Sequence, residues 1–147
     1  MTLIIRKPRD EDTKELKELF LITRRKTFTL QLPEKFQLDD YDESVAGEEV
    51  WVAEKDGVIA GFVSIWLQDN FIHNLFVHPN WQGQGIGVHL LKIAEEHLEC
   101  PMELKVKTEN LRACKFYQKH GWQEEYANSN ANEPYFSYKK YTKDENN

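Results

Sequence analysis

No run of eighteen apolar residues occurs in the 147-residue chain, which leaves no candidate for a membrane-spanning helix. Cysteine is scarce as well. Cys100 and Cys114 lack CxxC spacing and read as reduced thiols, which excludes a disulfide framework. Positive charge is short, with 19 Lys and Arg against 25 Asp and Glu, the wrong balance for a general nucleic-acid binder. The opening stretch MTLIIRKPRDEDT turns charged too early for a secretory signal, so the expected location is the cytoplasm. Glycine is limited to seven residues, yet three of them fall between Gly83 and Gly87.

What is present is enough for one core: 40% apolar and 12% aromatic residues fit a single domain over 1–142, with 143–147 as a disordered tail. TLIIRK reads as a first strand. DEDTKELKELFLITRRKTF reads as a helix with Leu16, Leu19, Phe20 and Ile22 apolar, and with Asp12 and Glu15 spaced as a capping box. The stretch from Thr29 to Gly47 has no clear period and is a short helix or a mobile loop. VWVAEKDGVIAGFVSIWL is two strands joined at Asp56-Gly57, a tight-turn dipeptide, and QDN leads into a third strand, FIHNLFV.

Beyond the glycines, Val88, Leu91, Ala94 or Glu95, and Leu98 follow a helical period, with Leu90 and Ile93 widening the stripe and Pro101 ending it. MELKVK alternates as a strand. Asn110 is placed to cap a helix LRACKFYQKH that Gly121 stops, and WQEEY and YFSYKKY read as two last strands. A meander followed by a strand, helix, strand crossover implies an α/β (α+β) fold with a mixed, mostly antiparallel central sheet and helices on both faces.

Between Glu34 and Asp56 nine carboxylates face only Lys35 and Lys55. This stretch is either a solvated acidic face or a wall that attracts a cationic amine. The glycines pose a sharper question. Amides at a helix N-terminus lack intrahelical partners and carry partial positive charge. Glycines at 83, 85 and 87 would open the backbone and permit positive φ, which makes a pyrophosphate cradle. GxGxxG fails in either register, at Val88 or at Leu90, and Gly-Val-His is not the end of a P-loop.

LFVHPNWQGQGIGVHLL resembles motif A of the GNAT superfamily of N-acetyltransferases, with its V-x-P and Q-x-x-G-x-G pattern. NLRACKFYQKHGW resembles motif B, N-x-x-A-x-x-F-Y-x-x-x-G-F, with Trp122 in place of phenylalanine. The resemblance to small bacterial single-domain members extends in element order over almost the whole chain. It implies acetyl-CoA as co-substrate, with the pyrophosphate on the amides of Gln82, Gly83, Gln84, Gly85, Ile86, Gly87 and Val88. The pantetheine arm would pair with Leu75, Phe76 and Val77, Asn110 would bond the cofactor near the arm, and Tyr117 would sit beside the sulfur as general acid.

Acetyl transfer to an amine also requires an oxyanion donor, which the resemblance places at the amide of Phe76 or Val77. A base is harder to assign. His73 lies on the same strand and is of a residue type that takes protons near neutral pH, but a structural histidine fits equally well, several carboxylates between Glu34 and Glu49 compete, and a water chain needs no dedicated base. His89 and His97 are eight apart, not the four of a zinc pair, and no metal is expected. The expected reaction is direct transfer from acetyl-CoA to a cationic amine, such as a protein lysine, a polyamine, an aminoglycoside or a small amine. The alternatives are a non-catalytic acyl-CoA-binding or sensing domain and a nucleotide-binding module. No nucleic acid or membrane partner is expected, and the chain could be a monomer or a homodimer paired through an edge strand.

Overall fold

Alternation in the strand sequences decides which residues face which layer. In the computed structural model, which describes residues 2–130 and 132–143, seven strands form one sheet in the order β1-β2-β3-β4-β5-β7-β6. They are β1 (Leu3–Arg6), β2 (Glu49–Lys55), β3 (Val58–Trp66), β4 (Phe71–Val77), β5 (Met102–Lys107), β6 (Gln123–Asn128) and β7 (Tyr135–Lys140). Every neighbouring pair is antiparallel except β4 and β5. Parallel neighbours need a crossover, and the helix after the glycines supplies it.

Helices α1 (Thr13–Thr27) and α2 (Asp40–Val45) cover one face of the sheet. Leu16, Leu19 and Phe20 recur at helical spacing and are buried there against Val52, Ile59 and Phe62. Helices α3 (Ile86–His97) and α4 (Leu111–Lys119) cover the other face, where Ile86, Leu90, Leu91, Ala94 and Leu98 enter the larger core with Val63, Ile65, Met102 and Leu104. The mixed, mostly antiparallel sheet with helices on both faces is the architecture expected from the sequence. The Asp56-Gly57 turn is also as read, with φ of 52° and 82° at its two residues.

Two local expectations fail. Asp12 and Glu15 form no capping box at the start of α1: the Asp12 carboxylate accepts from Arg6 and from the Arg9 amide, and Glu15 accepts from the Ile59 amide on β3. The bond from Glu15 to β3 joins residues 44 apart in sequence, so local spacing could not reveal it. Ile22 is 45% exposed rather than core, because Thr23 and Arg24 take the inward positions of that turn. The segment from Thr29 to Gly47 holds the short helix of its two sequence readings, α2, preceded by a 3-10 turn at Pro33–Lys35. Of the tail expected at 143–147, only Lys143 lies within the described residues.

Candidate active site

Parallel pairing between β4 and β5 is confined to Phe71 with Glu103 and Ile72 with Leu104. Past that point β4 keeps β3 on one side, through Leu75 with Val63 and Phe76 with Phe62, while its other edge has no strand partner among the described residues. A free strand edge in a fold interior is a row of hydrogen-bonding groups available to an extended ligand.

Two cavities adjoin the gap, and α1 and α4 contribute to the walls of both. One, of about 710 Å³, lies beside α3 and α4 and is lined by Leu75, Phe76, Val77, Gln82, Gly83, Gly85, Ile86, Gly87, Val88, Asn110 and Tyr117. The other, of about 550 Å³, lies on the α1 side and includes His73. Leu75, Phe76, Asn110, Ala113 and Tyr117 belong to both walls. Those shared residues mark the passage between the two cavities.

The first cavity has the features of a cradle. Gly83 and Gly85 adopt φ of 80° and 81°, and a Cβ at either would meet no atom within 4 Å, so the loop's inner surface is bare backbone. Gln82 donates to the Val77 carbonyl at 3.0 Å and accepts from Arg112, which ties the loop to the end of β4 and to α4. Two of the cradle residues depart from expectation. Gly87 already lies in the first turn of α3 without a positive φ, with the Phe116 ring 3.5 Å from where its Cβ would be. Gln84 does not line the cavity, because its side chain turns away to accept from Lys55 at 2.9 Å.

Lys26, Arg112 and Lys119 give this cavity a positive wall against one carboxylate, Glu109. The Thr23 hydroxyl is buried there with no hydrogen-bond partner among the described residues. Asn110 caps α4 with Oδ1 accepting from the Ala113 amide at 3.2 Å, which leaves its Nδ2 as the donor available to a ligand. Tyr117 is buried, and burial raises its phenol well above the usual value.

His73 is displaced onto the α1 side by a β-bulge. Ser64 opposes Asn74 and Ile65 opposes Ile72, so His73 is the extra residue of β4. Ile72 therefore packs under α3, whereas Asn74 bonds Ser44 and Ser64 on the opposite face and His73 meets Glu48 at 2.7 Å. The Glu48 side chain is only 8% exposed, and its other oxygen is buried without a partner among the described residues.

None of the nine carboxylates between Glu34 and Asp56 lines either cavity. Several are held in ion pairs instead: Asp39 and Asp42 with Lys17, Asp40 with Arg24, Glu49 with Lys7 and Glu54 with Arg6. Of the two readings of this stretch, the anionic acceptor wall is thus absent from the described cavities. The α1-side cavity is lined by Arg24, Lys105 and Lys107 against Glu133 alone.

Residues 13–122 match the model of the Acetyltransferase (GNAT) family. The chain belongs to the GNAT acetyltransferase family. Among curated relatives of this GNAT chain, the peptidyl-lysine N-acetyltransferase YiaC of Escherichia coli K12 is 35% identical over 91 residues, 57% of this chain and 61% of that protein. The L-amino acid N-acyltransferase MnaT of the same organism is 35% identical over 71 residues, 43% of this chain and 41% of that protein. The chain spans about two fifths to three fifths of the length of the curated relatives it matches.

Solved structures match over nearly the full chain. YjaB from Escherichia coli, in its apo form, is 21% identical with a TM-score of 0.77, covering 98% of this chain and all of that one. The PaiA N-acetyltransferase of Thermoplasma acidophilum, solved with coenzyme A, is 22% identical with a TM-score of 0.77, covering 96% and 100%. At these identities the likeness establishes a shared fold.

Some site residues of this GNAT chain escaped the sequence reading. Thr23 and Lys26 come from α1, in a stretch read only for its apolar period. Lys105 and Lys107 had a usable signal: the alternation of MELKVK sets both lysines opposite the apolar Leu104 and Val106.

Proposed function

We propose that this protein transfers the acetyl group of acetyl-CoA to a primary amine by direct transfer within a ternary complex. The observation that carries the reading is the pair of cavities meeting at the β4–β5 gap, with Tyr117 on both walls. A co-substrate arm on one side and an amine on the other would bring their reacting ends together at that passage.

Acetyl-CoA supplies the acetyl group as a thioester. The amides of Gly83 to Val88 hold its pyrophosphate, supported by the positive wall of Lys26, Arg112 and Lys119. The free edge of β4 at Leu75, Phe76 and Val77 pairs with the amides of the arm, and Thr23 and Asn110 are the polar side chains at hand. An amide at Phe76 or Val77 donates to the carbonyl oxygen as it gains charge.

Tyr117 donates to the departing sulfur. Its raised pKa keeps the hydroxyl protonated, and a desolvated thiolate is made more basic by the same burial, which narrows the mismatch between them. His73 takes the amine's proton, with its ring fixed by Glu48.

Initial rates of thiol release test this reading. Direct transfer gives intersecting double-reciprocal lines, and Tyr117→Phe lowers kcat by about a hundredfold, the lower end for loss of a general acid. Parallel lines would contradict direct transfer. CoA binding without amine-dependent thiol release would make the chain a binding domain.

A further inference from the structure

The α1-side cavity has a charge opposite to the one a cationic acceptor requires. Arg24 is committed to Asp40 at 3.0 Å and to the carbonyls of Phe20 and Gln37, and Lys107 is committed to Glu133 at 2.6 Å. Lys105 makes no ion pair among the described residues. Its ammonium stands over the Tyr135 ring at 4.9 Å and the Phe71 ring at 5.9 Å, exposed on the floor of the cavity.

We propose that the amine acceptor also carries a carboxylate, that Lys105 binds it, and that the substrate class is a free amino acid with an apolar or aromatic side chain. This rests on the acetyl-transfer reading above. A cavity of about 550 Å³ is of small-molecule size, and Phe20, Phe28, Phe36, Phe71 and Tyr135 offer it an apolar wall. Surplus positive charge repels a polyamine. The same charge disfavours an ammonium and favours the neutral amine that attacks, while a carboxylate on the same molecule supplies the counter-charge. The α-ammonium of a free amino acid, although its own carboxylate makes it less acidic than a peptide N-terminus, still loses its proton more readily than a lysine side chain at about 10.4.

The test compares L-phenylalanine, L-phenylalaninamide and spermidine as acceptors for the full chain. Binding of acetyl-CoA is measured first by thermal shift. The free acid should exceed the amide in kcat/KM by about tenfold, a typical weight for one charge-assisted bond, and Lys105→Gln should erase most of that difference without changing the acetyl-CoA shift. An amide or spermidine used as well as the acid would overturn the proposal while leaving acetyl transfer intact. Absence of any acetyl-CoA binding would overturn both. If acetyl-CoA binds but no amine is turned over, N-acetylphenylalanine with CoA decides: it should stabilise the protein more than N-acetylphenylalaninamide does, and an equal or smaller shift sinks the idea.

Discussion

Ile72 and Leu104 form the last pair of the β4–β5 ladder. Two parallel strands that part after so few rungs leave one edge of β4 free, and both cavities adjoin that divergence. Substitutions and two pH series probe what holds the arrangement in place.

Alanine at two glycines should separate packing from binding. A Cβ on Gly61 would lie 2.7 Å from the Phe76 carbonyl oxygen and 3.1 Å from Leu90 Cδ1, so Gly61→Ala should cost about 1–3 kcal/mol by overpacking. At Gly85 the space is open and the cost is only the backbone's, about 1–2 kcal/mol for a left-handed residue. Calorimetry should show CoA binding weakened about tenfold by Gly85→Ala, the equivalent of one bond to a charged group.

Beneath α4 lies a buried network. Lys140, 3% exposed, reaches Glu95 at 3.0 Å and the His120 carbonyl at 2.9 Å, and Trp122 Nε1 donates to the other Glu95 oxygen at 3.1 Å. Glu95→Ala removes the carboxylate from a buried ammonium and should destabilise the fold by about 3–5 kcal/mol in urea denaturation. The double variant Glu95→Leu with Lys140→Met should recover most of that loss.

Acid stability should depend on Asp12. Its hydrogen bonds from Arg6 hold the carboxyl below the usual range, opposed by burial. A depressed folded pKa contributes stability above the unfolded value of about 3.9 and loses it as the pH falls toward the folded one. Asp12→Asn should therefore be less stable at neutral pH and show a flatter decline below about pH 4, measured by urea titration at each pH.

Tyr117 should leave no mark on the alkaline side of the rate profile up to about pH 10, the ordinary value for a phenol, because burial raises its pKa. A fall in kcat between pH 8 and 10 that vanishes in Tyr117→Phe would show a phenol that ionises early.

The element order was legible because the strands of the meander are apolar, β-branched or aromatic runs separated by turns with their own chemistry, Asp56-Gly57 above all. The left-handed loop before α3 was legible from Gly83 and Gly85, and α4 from Asn110 and Gly121. The bulge at His73 was not, since one extra residue leaves no mark in a run such as FIHNLFV. The fate of the acidic stretch was hidden for a related reason: Asp40 and Glu48 find Arg24 and His73 only once the fold brings them together, 16 and 25 residues apart in the chain. The network of Glu95, Trp122 and Lys140 joins α3, β7 and the turn between α4 and β6, which no local pattern links.

The measurement that bears most directly on this account is residue-resolved amide exchange with and without CoA. Slowed exchange at Leu75, Phe76 and Val77 and across Gly83 to Val88 is the predicted result, because those amides would gain partners from the co-substrate. CoA binding that leaves them unchanged, or equal protection by NAD or ATP, would contradict the donor groove and the acetyl transfer built on it.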